Sequence, residues 1–216
     1  MIIAIAGQKG GSGKSTLAVH LAAEWKAAGR RVLLVDADPQ GTSLTFGEVA
    51  AELSEPGPDI VAVGENLRRV VPELARAYDL TIIDCPGRMR GQRQIGAMLC
   101  ADLVVLPCGP STPDVWALAE TVEMVTEVQS LRPEVASVIV LNRLSRTAES
   151  RGAAEALSEL PTPVATQTIG QRVAYSEALA AGRGVTLDRP RSRAAREIRA
   201  LALELLERAS EVRRAA

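Results

Sequence analysis

Between positions 9 and 16 the chain reads Lys9-Gly10-Gly11-Ser12-Gly13-Lys14-Ser15-Thr16, a string that contains the parts needed to hold a phosphate chain. The glycines let backbone N–H groups approach phosphate oxygens closely, and Lys14 adds positive charge for the β and γ oxygens. The Ser15 hydroxyl is placed to ligate a Mg²⁺ ion on the same phosphates. Carboxylates that could complete the site lie further along, at Asp36, Asp38 and Asp84. Asp84 follows Thr81-Ile82-Ile83 and reads as the Walker B carboxylate on the Mg²⁺ side. Asp38 opens Asp38-Pro39-Gln40-Gly41, a turn-forming string suited to respond to a γ-phosphate and to orient an attacking water. Asp36 then supports Mg²⁺ from behind the direct ligands, and one of Asp36 and Asp38 also fits a plain turn or cap role. The chemistry these residue types share is hydrolysis of a nucleoside triphosphate, ATP, with Mg²⁺.

A glycine-rich string works as a phosphate cradle only when a strand enters it and a helix leaves it. Short runs rich in Val and Ile predict strands at 2–6, 32–35, 60–63, 81–83, 103–106, 138–141 and 164–168, each buried on both faces. Helical spacing places Leu17, Leu21, Trp25 and Ala28 on one face of a first helix that stops at Gly29. A second pattern groups Leu67, Val70, Val71, Leu74 and Tyr78, and a third Val115, Leu118, Val122 and Val125. This alternation predicts an α/β fold, a mostly parallel central sheet with helices on both faces, of the P-loop NTPase kind. Ligands bind such sheets beyond the strand C-termini. Gly7, Asp36, Asp84, Pro107 and Asn142 each follow a predicted strand, so they point to one shared site.

At 216 residues with 47% hydrophobic content, the chain suits a single domain spanning 1–216. Lys plus Arg number 25 against 26 Asp plus Glu, so any nucleic-acid binding must come from local clustering. Cys85, Cys100 and Cys108 lack metal-ligand spacing, and the apolar start is too short for a membrane span; a reducing cytoplasm fits best. Residues 54–59 read as a surface loop. His20, the only histidine, reads as a packing or surface residue, and Trp25 and Trp116 as core or interface anchors.

Gln8-Lys9-Gly10-Gly11-Ser12-Gly13-Lys14-Ser15-Thr16 closely resembles the deviant Walker A motif of the ParA/MinD ATPases, which carry an extra upstream lysine, here Lys9. Further matches are Val35-Asp36-Ala37-Asp38-Pro39-Gln40-Gly41, Ile82-Ile83-Asp84-Cys85-Pro86-Gly87, Pro110-Ser111-Thr112-Pro113-Asp114-Val115-Trp116 and Gln171-Arg172-Val173-Ala174-Tyr175-Ser176-Glu177-Ala178. The last two are similar to the small ParF-like branch. The resemblance implies a homodimer in the ATP state, in which Lys9 reaches the partner's phosphates in the manner of an arginine finger. It also implies that Asn142, in Val140-Leu141-Asn142-Arg143, contacts the base, since a side-chain amide matches the adenine edge. Cys85 and Arg88 depart from the usual second switch.

Arg183, Arg189, Arg191, Arg193, Arg196 and Arg199 stand against only Asp188 and Glu197, the most basic stretch of the chain. A solvated helix face explains it, and so does the non-specific DNA binding that the family implies, with Arg189, Arg191, Arg193, Arg196 and Arg199 as phosphate contacts. The same resemblance implies a nucleoid-associated protein and a separate adaptor or cargo protein, of the ParB/ParG kind, that stimulates hydrolysis. No membrane contact is expected, because the C-terminal Ala/Arg/Glu stretch lacks bulky interfacial anchors. A MinD-like membrane-associated positioning ATPase and a metabolic enzyme on the same scaffold are the competing readings.

Overall fold

The computed structural model describes residues 1–64, 66–87, 92–145, 157 and 159–215; Arg88 lies outside them. The strands β1 (Ile2–Ile5), β2 (Val32–Asp36), β3 (Asp59–Ala62), β4 (Leu80–Asp84), β5 (Leu103–Cys108) and β6 (Ala136–Leu141) form one sheet in the order β3-β2-β4-β1-β5-β6. All five pairings are parallel. Every residue of β2, β4 and β5 is buried, as their unbroken apolar runs require, whereas the edge strand β3 is only partly covered.

The run at 164–168 does not form a strand. Val164 makes a single bridge to Ile139 of β6, and the chain from there on is irregular. The Ala165 amide still donates to the Ile139 carbonyl, but those of Thr166 and Gln167 are claimed elsewhere and donate to the Glu204 carboxylate. Pro107 lies inside β5 rather than after it, at a level where β5 has outrun its pairing with β1 and continues alongside β6.

Helices α1 (Lys14–Ala27), α2 (Thr42–Glu52), α3 (Leu67–Ala75), α4 (Gln92–Cys100), α5 (Thr112–Leu131), α6 (Val173–Ala180), α7 (Val185–Asp188) and α8 (Arg193–Ala215) cover the sheet. On one face Leu67, Val71, Met98, Leu118, Val122 and Val125 pack against Ala4, Val35, Val104 and Ile139. On the other Leu17, Leu21 and Trp25 share a core with Ile3, Ile82, Tyr175, Val185, Ile198 and Leu205. The helix α1 is not one-faced: Ala18, Val19, His20, Ala22 and Ala23 are buried too, because α6, α7 and α8 close over its outer side. Ala28 falls outside the helix and is exposed. Trp25 is a core residue, while Trp116 is 70% exposed, which rules out the core reading for it. The three thiols are buried and free, and burial raises the pKa of each.

His20 shows how the outer helices are tied down. Its Nδ1 accepts the Val185 amide at 3.2 Å, and its Nε2 lies 3.1 Å from the Tyr175 carbonyl, so the neutral ring protonated on Nε2 satisfies both. Burial lowers its pKa from 6.5 to about 4. The folded chain therefore resists a proton that the unfolded chain accepts, and stability present above pH 6.5 is lost as pH falls toward 4. The expected loss is on the order of 3 kcal/mol. Urea unfolding between pH 7 and 4 should show this slope in the wild type, and His20→Gln should remove about one proton's worth of it.

Candidate active site

Register brings the candidate residues together. Asp36 and Asp84 close β2 and β4 and are direct neighbours across that pairing, and Ile5, just before the phosphate loop, pairs with Asp84 on the other side. Cys108 pairs with Leu141, which carries Asn142 to the same rim. Right-handed crossovers with helices on both faces leave the strand C-termini as the one shared end.

The loop enters α1 through Gly13, which has φ 90° and acts as the N-cap. A Cβ there would lie 2.4 Å from Asn142 Nδ2, so glycine is required by conformation and by space. The first-turn N–H groups of α1, at Lys14, Ser15 and Thr16, face an open helix end, where backbone donors and the helix dipole favour an anion. Lys14 is buried and donates to the Lys9 carbonyl at 3.1 Å. Burial lowers its pKa, while the carboxylates Asp84 and Asp38 act to raise it.

The three carboxylates have different surroundings. Both Asp36 oxygens accept backbone amides, from Asp38 at 3.0 Å and Leu44 at 3.0 Å, so this side chain shapes the turn and the start of α2. Its position fits support from behind a metal ligand rather than direct ligation. Asp38 accepts the Gln40 amide at 3.0 Å and the Gly87 amide at 3.4 Å, which links the two segments that follow β2 and β4. Asp84 accepts the Ser43 hydroxyl at 2.8 Å. Burial raises its pKa from 3.8 to about 6; the Ser43 and Ser15 hydroxyls oppose this, and Asp36 and Asp38 add to it.

Lys9 does not turn into its own loop. Its amine pairs with Asp114 Oδ1 at 2.5 Å, and its side chain is 40% exposed. Asp114 belongs to the capping box of α5, with Ser111 donating to Asp114 through both its amide and its hydroxyl. Burial acts to raise the Asp114 pKa, but Lys9 and Ser111 outweigh it and the net shift is downward. Asp114 is therefore the residue that decides where Lys9 rests. Sequence reasoning does not single it out, although the Ser111-x-x-Asp114 spacing is a capping signature.

Beside the loop lies a cavity of about 300 Å³ lined in part by Gly11, Gly13, Thr16, Asn142, Gly170 and Arg172. Asn142 donates to the Ser12 carbonyl at 2.8 Å and accepts the Arg143 amide at 2.9 Å, which leaves one N–H and one lone pair of its amide for a base. The Arg172 wall of the cavity is braced by Glu197, which also accepts from Gly170 and Tyr175.

Residues 3–185 match the family described as the CobQ/CobB/MinD/ParA nucleotide binding domain. The chain belongs to that family. It is 31% identical to maintenance of carboxysome distribution protein A of Halothiobacillus neapolitanus, over 83% of this chain and 84% of that protein. It is 30% identical to the chromosome-partitioning ATPase Soj of Thermus thermophilus, over 97% and 96%. Its fold is that of the septum site-determining protein MinD from Pyrococcus horikoshii complexed with Mg-ADP, with TM-score 0.76, 22% identity and 98% of each chain covered. This ParA/MinD-type chain is thus a P-loop ATPase by family.

The residues present fit ATP and Mg²⁺. Ser12 Oγ and Asp84 Oδ1 are buried in the site without a hydrogen-bond partner, as groups that meet a polar ligand would be. Among the described residues no three His, Cys, Asp or Glu side chains gather as a metal cluster. Mg²⁺ needs only one or two protein groups besides phosphate oxygens and water, and Ser15 and Asp84 would supply them.

The basic stretch is less basic in three dimensions than along the chain. Arg189 pairs with Glu177 at 2.6 Å and Asp188 at 3.3 Å, Arg193 with Glu197 at 3.3 Å, and Arg199 with Glu24 at 3.8 Å. Arg183 pairs with Glu55. Arg191 and Arg196 have no carboxylate at ion-pair distance among the described residues, and Arg196 donates to the Arg191 carbonyl. Counting charges along the sequence cannot find these pairings, because Glu24, Glu55 and Glu177 come from other elements.

The electrostatics of Asp84 generate a test. With its pKa raised from 3.8 to about 6, the nucleotide-free protein loses stability as pH rises through that window, and the cost persists above it. At pH 7.5, Asp84→Asn should melt no lower than wild type without nucleotide, yet lose the thermal shift that Mg-ATP gives the wild type. Calorimetry with and without Mg-ATP measures both.

Proposed function

We propose that this chain is an ATP-driven positioning switch: ATP and Mg²⁺ join two copies, the dimer holds DNA without sequence preference, and hydrolysis, stimulated by a separate adaptor protein, releases it. The carrying observation is the outward placement of Lys9. Lys14 lies over its own loop, whereas Lys9 is turned away to Asp114 and is partly exposed, which supports a role for its charge at a second copy rather than at its own phosphates. A cation supplied only by the partner ties charge stabilisation during phosphoryl transfer to assembly. Asp38, held between Gln40 and Gly87, is the residue we assign to orient the attacking water, and Ser15 and Asp84 are assigned to Mg²⁺.

The relatives named for carboxysome distribution and chromosome partitioning support a cargo-positioning role, and resemblance at Pro110–Trp116 and Gln171–Ala178 supports the ParF-like branch. For DNA, Arg191 and Arg196 are the favoured contacts, because the neighbouring arginines are already paired. Two copies double the number of phosphate contacts and steepen the dependence on salt.

Lys9→Ala is expected to bind ATP within a few-fold of wild type and to stay monomeric with a non-hydrolysable analogue; light scattering that still shows dimers would remove the trans role. With the same analogue, the wild type should be retained on arbitrary duplex DNA and released by salt. Replacing Arg191 and Arg196 together by Ala should weaken retention and flatten the logarithmic salt slope by about 0.9 for each DNA phosphate that is no longer neutralised. Equal retention without nucleotide would refute the switch.

A further inference from the structure

Three non-glycine residues in the described chain have positive φ: Ser54, Asn66 and Arg143. Asn66 is of a type that tolerates the left-handed region, whereas an arginine at φ 58° holds a conformation that glycine would adopt without cost. Such outliers persist where the surroundings hold them in place, and here the surroundings are the phosphate loop. Arg143 Nη1 donates to the Gly11 carbonyl at 2.6 Å, and the Arg143 amide donates to Asn142 Oδ1. The neighbouring Asn142 side chain donates to the next loop carbonyl, Ser12, at 2.8 Å.

A trans peptide is planar, and its C=O and N–H point in opposite directions. A side chain that fixes the Gly11 carbonyl therefore also fixes the Ser12 N–H, and one that fixes the Ser12 carbonyl fixes the Gly13 N–H. In each case the amide is aimed to the side of the loop away from the clamp, where the backbone donors of a phosphate loop meet their anion. Gly11 has φ 77° and Gly13 φ 90°, so the glycine-rich backbone has wide conformational freedom that these two contacts restrict.

We propose that Arg143 is a positioning residue for nucleotide binding: its guanidinium holds the Gly11–Ser12 peptide in the phosphate-receiving orientation, and the left-handed backbone at 143 is the conformational cost of bringing it there. Pre-ordering the loop removes part of the entropy that phosphate binding would otherwise have to supply. The inference rests on the loop's being an ATP site and is independent of dimerisation.

The discriminating variant is Arg143→Gly, which relieves the backbone and deletes the clamp. Arg143→Lys keeps a cation able to reach a carbonyl but loses the planar fork. With the full-length chain, affinity is measured for Mg-ATP, and for inorganic tripolyphosphate as a competitor of a fluorescent ATP. Arg143→Gly should melt no lower than wild type yet bind both ligands about tenfold more weakly, the effect of roughly one hydrogen bond. Arg143→Lys should recover part of the loss for both. A loss of affinity without a loss of stability is an outcome that general loosening does not produce. Affinity within about twofold of wild type in Arg143→Gly would overturn the proposal. A loss for ATP with tripolyphosphate unchanged would also overturn it, because Arg143 would then act on the nucleoside through the adjoining cavity.

Discussion

A buried ammonium governs the layout of this site. Lys14 is only 6% exposed, and burial alone would drive it toward its neutral form. Asp84 and Asp38 lie close enough to favour the charged form, and the Lys9 carbonyl accepts a hydrogen bond from it. Keeping a cation at that depth requires carboxylates at the ends of neighbouring strands, and parallel β2–β4 and β4–β1 pairing is what puts them there. Asp84 bears the converse cost, its pKa raised to about 6 chiefly by burial. Cation and carboxylate are thus both held at a depth that disfavours their charge, a state that phosphate and Mg²⁺ would relieve.

The segments after β2 and β4 are coupled to this pair through few contacts. Asp38 accepts the Gly87 amide, and a Cβ at Gly87 would lie 3.3 Å from the Lys14 amine, so the second segment runs directly against the lysine. Gln94 of α4, fully buried, donates to the Pro86 carbonyl and reaches the Gly7 carbonyl at 3.5 Å. A change at the phosphates therefore meets the segment after β4 at its backbone, and α4 behind it. Lys9 belongs to the same backbone, since its carbonyl is the acceptor for Lys14 while its amine rests on Asp114. Movement of Lys14 toward a phosphate would release that carbonyl, so the two lysines are mechanically linked.

On the face of the sheet that carries α1, Glu197 braces the cavity wall. It gathers Arg172, Gly170 and Tyr175 from the segment after β6 onto α8. Arg193, at the start of α8, thereby pairs with the same carboxylate that braces the cavity wall.

The order strand, glycine loop, helix is legible in the residues, as are six strands and the positions of Asp36, Asp38, Asp84 and Asn142 at their ends. Local periodicity encodes strands and helices, and the handedness of crossovers then forces parallel strand ends to share one rim. The expected seventh strand is absent because two of its amides are taken by a glutamate from α8, which a short apolar run cannot reveal. In the same way the resting partner of Lys9, the neutralised arginines before and within α8, and the clamp on the loop carbonyls are decided only by the tertiary structure. Arg143 lies 132 positions from the Gly11 it holds. Contacts of that kind depend on where side chains meet after the layers have packed, and no spacing along the chain records that meeting.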